Sequence, residues 1–123
     1  MIHFGEFFKA RRMALGKTLR QFCVENSLDP GNISKLERGL LPPPQHEKLE
    51  AYAVILGIPR GSDEWYQFFD LAAAEAGRIP DDILSDERVA GKLPVLFRTV
   101  RGGGKLSDQQ FEELVRKVRE AYR

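Results

Sequence analysis

The chain has one cysteine, two histidines and one tryptophan in 123 residues. A single cysteine excludes an internal disulfide framework and fits a reducing compartment. It also excludes the paired Cys/His spacing of a zinc site, and no other metal or cofactor set stands out. No run of 18 apolar residues is present, so no membrane-spanning helix and no membrane partner are expected. The start, MIHFGEFFKARR, lacks the apolar core and cleavage site of a secretion signal, so a cytoplasmic location is expected. Strand patterns are missing too. The one candidate, Leu93-Pro94-Val95-Leu96-Phe97, is demoted by its proline. Enzyme chemistry finds little support, since His3 and His46 are the only histidines and Cys23 the only cysteine, so an enzyme is not expected.

What remains is a helical pattern with enough apolar residues, 42%, to build a core. The clearest stretch is Thr18 to Gly39. Thr18 and Gln21 form a capping box for one helix over 18–26. Asp29 caps a second over 30–38, with Pro30 at its first position and Gly39 at its end. Asn26-Ser27 supplies the turn between them. On the second helix Ile33, Leu36 and Glu37 share one face, while Gly31, Ser34, Lys35 and Arg38 share the other, with Asn32 on the flank. Small residues and cations along one side suit a DNA major groove, and they also suit an ordinary solvated face.

Charge supports a local anionic partner. Net charge is +1, yet residues 1–40 carry seven Lys/Arg against four acids, a net +3. Residues 61–100 carry four Lys/Arg against eight acids, a net −4. The basic part coincides with the helix pair, as expected for a phosphate-binding surface on a near-neutral protein.

The same stretch resembles the helix-turn-helix of the lambda-repressor/Cro family, also called the xenobiotic-response-element family. The matching residues are Thr18-Leu19-Arg20-Gln21-Phe22-Cys23 and Asn32-Ile33-Ser34-Lys35-Leu36-Glu37-Arg38-Gly39. Arg12 and Leu15-Gly16 upstream match the end of that family's first helix. Pro43 and the Leu49, Tyr52, Ala53, Leu56 spacing match its fourth. The sequence departs from the pattern at three places: Cys23 for alanine, Ser27 for the turn glycine, and Pro30-Gly31 where relatives carry long polar side chains.

The resemblance implies an all-α protein: a five-helix lambda-repressor-like domain over residues 1–77 and a helical extension over 78–123. It implies duplex DNA binding by a homodimer that regulates transcription, usually by repression. Gly31, Asn32 and Lys35 are the expected base contacts. Lys17, Thr18, Arg20, Gln21, Ser34 and Arg38 are the expected phosphate contacts. Arg12 and Glu37 are expected to pair between helices 1 and 3. Many small proteins of this kind are antitoxins, which makes a toxin an alternative partner for the extension. A helix-turn-helix that has lost DNA and contacts only protein is a third reading, opposed by the retained cations.

Helix 1 should span 3–15 with Phe4, Phe8 and Leu15 inward. Pro44 should open helix 4, which ends near Leu56. Ser62 should cap helix 5, which carries Trp65, Phe68, Phe69, Ala72, Ala73 and Ala76 to Gly77. That apolar surface is either core or a dimer contact. Pro80-Asp81-Asp82 and Ser85-Asp86-Glu87 read as helix starts, and Leu93 to Val100 as a short helix with Pro94 near its beginning. A break is expected at Arg101–Lys105, where Gly104-Lys105 lacks the other residues of a phosphate loop. Ser107 and Gln110 should cap a last helix over 108–122. Its stripe of Phe111, Leu114, Val115, Val118 and Tyr122, together with Trp65 and Phe69, forms the expected dimer or partner surface.

Overall fold

The computed structural model describes residues 2–103 and 107–121, and these are helical with no strand. Among the described residues eight helices follow in order: α1 Phe4–Ala14, α2 Leu19–Glu25, α3 Pro30–Glu37, α4 His46–Ile55, α5 Asp63–Glu75, α6 Asp81–Leu84, α7 Glu87–Gly103 and α8 Asp108–Ala121. The chain divides into two compact units, Met1–Asp81 and Asp82–Arg123.

The first unit is built on aromatic packing. Phe4, Phe8, Phe22 and Phe68 are fully buried, and Phe7 nearly so. Phe4 meets Phe68 at 4.9 Å between ring centres, and Phe8 meets Phe22 edge-on at 6.0 Å. Burying each phenyl ring stabilises the fold by about 1.5–3 kcal/mol. Leu49, Tyr52, Ala53 and Leu56 bring α4 onto this centre, as their spacing requires. α1 therefore faces inward with Phe4, Phe7, Phe8 and Arg12. Leu15, expected inward, is the C-cap residue and is 38% exposed, next to the turn at Gly16 with φ +73°.

Local signals place most helix ends. Thr18, Asp29 and Ser62 each accept a backbone N–H from the third residue of their helix. Two starts differ from expectation. Helix α4 begins at His46 rather than Pro44, because Gln45 is extended and His46 is left-handed at φ +52°. The expected short helix at 93–100 is the middle of the 17-residue α7, with Pro94 in its interior and its start capped by Asp86. Proline removes one hydrogen bond and costs about 3 kcal/mol in a helix interior. The apolar spacing Val89, Leu93, Leu96, Val100 continues through the proline at helical period, with Leu96 and Val100 about half exposed. Helix α7 runs through Arg101–Gly103, where a break was expected, and Gly104 and Lys105 lie outside the described residues.

Trp65 and Phe69 are half-buried and pack on the core of the first unit, 4.9 Å apart between rings, with the Arg60 guanidinium over Trp65. Among the described residues no helix is long and apolar enough to cross a membrane.

Candidate nucleic-acid interface

Helices α2 and α3 are joined by a turn in which each bond has a local cause. At the end of α2, Leu28 N donates to Cys23 O at 2.9 Å and Ser27 N to Val24 O at 3.5 Å. This double closure requires a left-handed residue between them, the place glycine usually takes. Ser27 occupies it at φ +55°. The end of α3 closes the same way, with Leu40 N on Lys35 O at 2.8 Å and Gly39 at φ +77°. At the start of α3, Asp29 Oδ2 accepts Asn32 N at 3.0 Å.

The inner face of α3 is held at three points. Ile33 and Leu36 are buried in the core. Arg12 donates to both Glu37 carboxylate oxygens, Nε at 2.7 Å and Nη2 at 2.9 Å. Its remaining Nη1 donates to Lys17 O at 2.9 Å, so one guanidinium ties α1, the entry to α2 and the end of α3 together. The Glu37 hydrogen bonds push the Arg12 pKa up, and burial opposes them. The third point is Gly5. A Cβ there would stand 2.5 Å from Leu36 O and 2.6 Å from Glu37 O, so only glycine lets α1 approach the backbone of α3 this closely. Gly5, the second residue of α1, carried no signal in the sequence, since the contact joins residues more than thirty apart.

Cys23 is fully buried near the turn, and burial pushes its thiol pKa up. That matches a packing residue and opposes a reactive one.

The outer face is open. Gly31, Asn32, Lys35 and Arg38 are exposed, and Ser34 is half-buried. The side chains of Lys35, of Asn32 and of Arg20 on α2 have no partner among the described residues. Arg38 Nε leans on Ser34 O at 3.3 Å. Thr18 Oγ1 accepts Gln21 N at 3.1 Å, but the second half of the expected capping box is replaced. Gln21 Nε2 turns toward Glu25 Oε1 at 3.5 Å. Lys17 Nζ also meets Glu25, at 2.6 Å from Oε2. That bond lowers the Glu25 pKa below the ordinary carboxylate value. Two expected phosphate contacts thus converge on an acid that sequence reasoning passed over. The signal was present in the eight-residue spacing from Lys17, which places Glu25 one helical turn beyond Gln21.

Beside α3, the proline segment forms the wall of an open groove. Asn32, Leu36, Pro43, Gln45, Lys48 and Tyr52 line it. Lys48 and Gln45, not expected at the site, therefore stand on the same side as Asn32. The arrangement presents amide and ammonium donors on a short, rigidly seated helix, with further cations at its edges.

A family model described as a helix-turn-helix domain matches residues 3–64, just over half of the chain. No curated protein and no solved structure matches it.

Proposed function

Since the chain belongs to the helix-turn-helix domain family and is in general terms a DNA-binding regulator, we propose that it is a sequence-specific repressor that reads duplex DNA as a homodimer through α3. The observation that carries this reading is the pose of α3: apolar residues and Glu37 locked inward, Asn32 and Lys35 unpartnered outward. Lys35 donates to guanine O6 and N7, Asn32 pairs with adenine, and Gly31 allows the helix start to approach the bases. Thr18, Arg20, Gln21, Ser34 and Arg38 fix register on the phosphates, and Lys17 joins them when it leaves Glu25. A dimer spans two half-sites about one DNA turn apart, which occludes a promoter.

The test is binding to the DNA upstream of its own gene at several salt concentrations. Log affinity falls linearly with log salt, and Arg20→Ala makes the slope shallower by about one. Lys35→Ala relaxes base preference at one position per half-site and costs about 1–3 kcal/mol, whereas Arg38→Ala weakens all sequences alike. Binding that ignores salt, or a Lys35→Ala consensus identical to the original, overturns this reading.

A second reading is an antitoxin that holds a toxin through the extension. It is favoured by the exposed apolar side chains of α7, Leu96, Phe97 and Val100. Co-purification with the product of a neighbouring gene decides between the two.

A further inference from the structure

Helix α8 starts from a complete cap. Ser107 Oγ accepts Gln110 N at 3.2 Å, and Gln110 Oε1 accepts Ser107 N at 2.9 Å. From there Phe111, Leu114, Val115 and Val118 make one stripe, each 38–51% exposed in the single chain. Tyr122, expected to extend it, lies outside the described residues. A stripe of this kind on an otherwise charged helix calls for a cover.

The charges beside the stripe say which cover. At about 100° per residue, Glu112 and Arg119 lie on one flank, two turns apart, and Lys117 lies on the other. Glu112 and Arg119 have no partner among the described residues. Arg116, on the back of the helix, is already near Glu113 at 3.8 Å and Glu120 at 3.5 Å. When two such helices pair in parallel, unlike flanks meet, and Arg119 falls beside Lys117 of the partner subunit. When they pair antiparallel, like flanks meet in reversed order. With a twofold axis between positions 115 and 116, Glu112 then stands opposite Arg119 of the partner subunit, twice over.

We infer that α8 binds a second copy of this chain, antiparallel about a twofold axis next to Val115, with reciprocal Glu112–Arg119 pairs selecting that orientation. The apolar stripe supplies affinity. The rim charges supply direction, because the antiparallel pair gains two Glu112–Arg119 contacts against one meeting of Lys117 with Lys117 of the partner subunit, while the parallel pair sets Arg119 beside Lys117 of the partner subunit twice. A self-complementary patch of this kind closes into a dimer and stops there. The inference rests on the homodimer reading above and gives it a surface.

The test measures the oligomeric state of the full chain without DNA, by sedimentation equilibrium. A dimer is expected. Glu112→Arg and Arg119→Glu each weaken it on the order of tenfold, and the two together restore it. Circular dichroism of each variant verifies that α8 remains helical. Val115→Cys oxidises readily to a covalent dimer, while Val118→Cys, set off from the axis, does so poorly. Cys23 is buried and leaves the readout clean. A monomer, a double reversal that fails to restore, or equal cross-linking at 115 and 118 overturns the antiparallel pair. A monomer that still binds its operator overturns the pairing alone, and a dimer without DNA affinity overturns only the repressor reading.

Discussion

Arg12 and Glu37 stand 25 positions apart in the chain and form a two-pronged ion pair at 2.7 and 2.9 Å, at 6% and 9% exposure. The pair sits where α3 leaves the core. Glu37 belongs to the helix that faces outward with Lys35, and Arg12 belongs to the scaffold. The angle of the outward face is therefore set by a contact on the inward one.

Breaking this pair from either side leaves a buried charge without its counterpart. Arg12→Ala and Glu37→Ala each lose about 3–5 kcal/mol of stability, and the double substitution loses less than the sum. Denaturant unfolding of the three variants measures this. Strict additivity would mean that the two charges act independently.

Gly5→Ala is a sharper probe of the same seat. Alanine favours a helix by about 1 kcal/mol over glycine, so an isolated α1 would gain. Here the new methyl meets two backbone oxygens that have no rotamer to change. The expected result is a net loss of about 1–3 kcal/mol with weaker DNA binding, as α1 backs away from the end of α3. Gly31→Ala is the control. Its Cβ meets only Asp29 Oδ2, at 3.4 Å, so stability is kept while the DNA-facing surface gains a methyl. Unchanged stability in Gly5→Ala would show that α1 and α3 can separate freely.

These residues also show what a sequence discloses. Thr18, Asp29, Ser62 and Ser107 were legible as caps because capping is settled within four residues. The inner and outer faces of α3 were legible because periodicity is local as well. The Arg12–Glu37 pair was not contained in any local pattern and came from family resemblance. Gly5 was invisible, since its role is a contact between distant segments. Pro94 was misread by the opposite error. The proline read as the start of a helix, whereas the helical spacing on both sides of it belongs to one helix.

Ser27→Gly addresses strain at the turn. A left-handed residue with a Cβ costs about 1–2 kcal/mol, and glycine's greater freedom when unfolded returns part of that. The variant is expected to gain about 0.5–1 kcal/mol, which raises Tm by a few degrees. Thermal unfolding reads it directly. A lower Tm would mean that the Ser27 side chain makes up for its own backbone.

The last prediction concerns Glu25, which holds Lys17 at 2.6 Å on the side of α2 expected to face phosphate. While paired, Lys17 brings no net charge to DNA. Glu25→Gln removes the competing carboxylate and frees the ammonium group. Binding should tighten at low salt, and the salt slope should steepen by about one counterion. Stability should barely move, because an exposed pair of this kind contributes little. Acid acts in the same direction as the substitution. The Glu25 pKa is lowered, so its interaction with Lys17 is intact above the ordinary carboxylate range and is lost only as pH falls through the depressed value. Near neutral pH the wild-type pair therefore stays closed, and the substitution is the usable probe. Lys17→Ala should then matter more in the Glu25→Gln background than in the wild type. If Lys17→Ala has the same effect in both, Glu25 does not gate that contact.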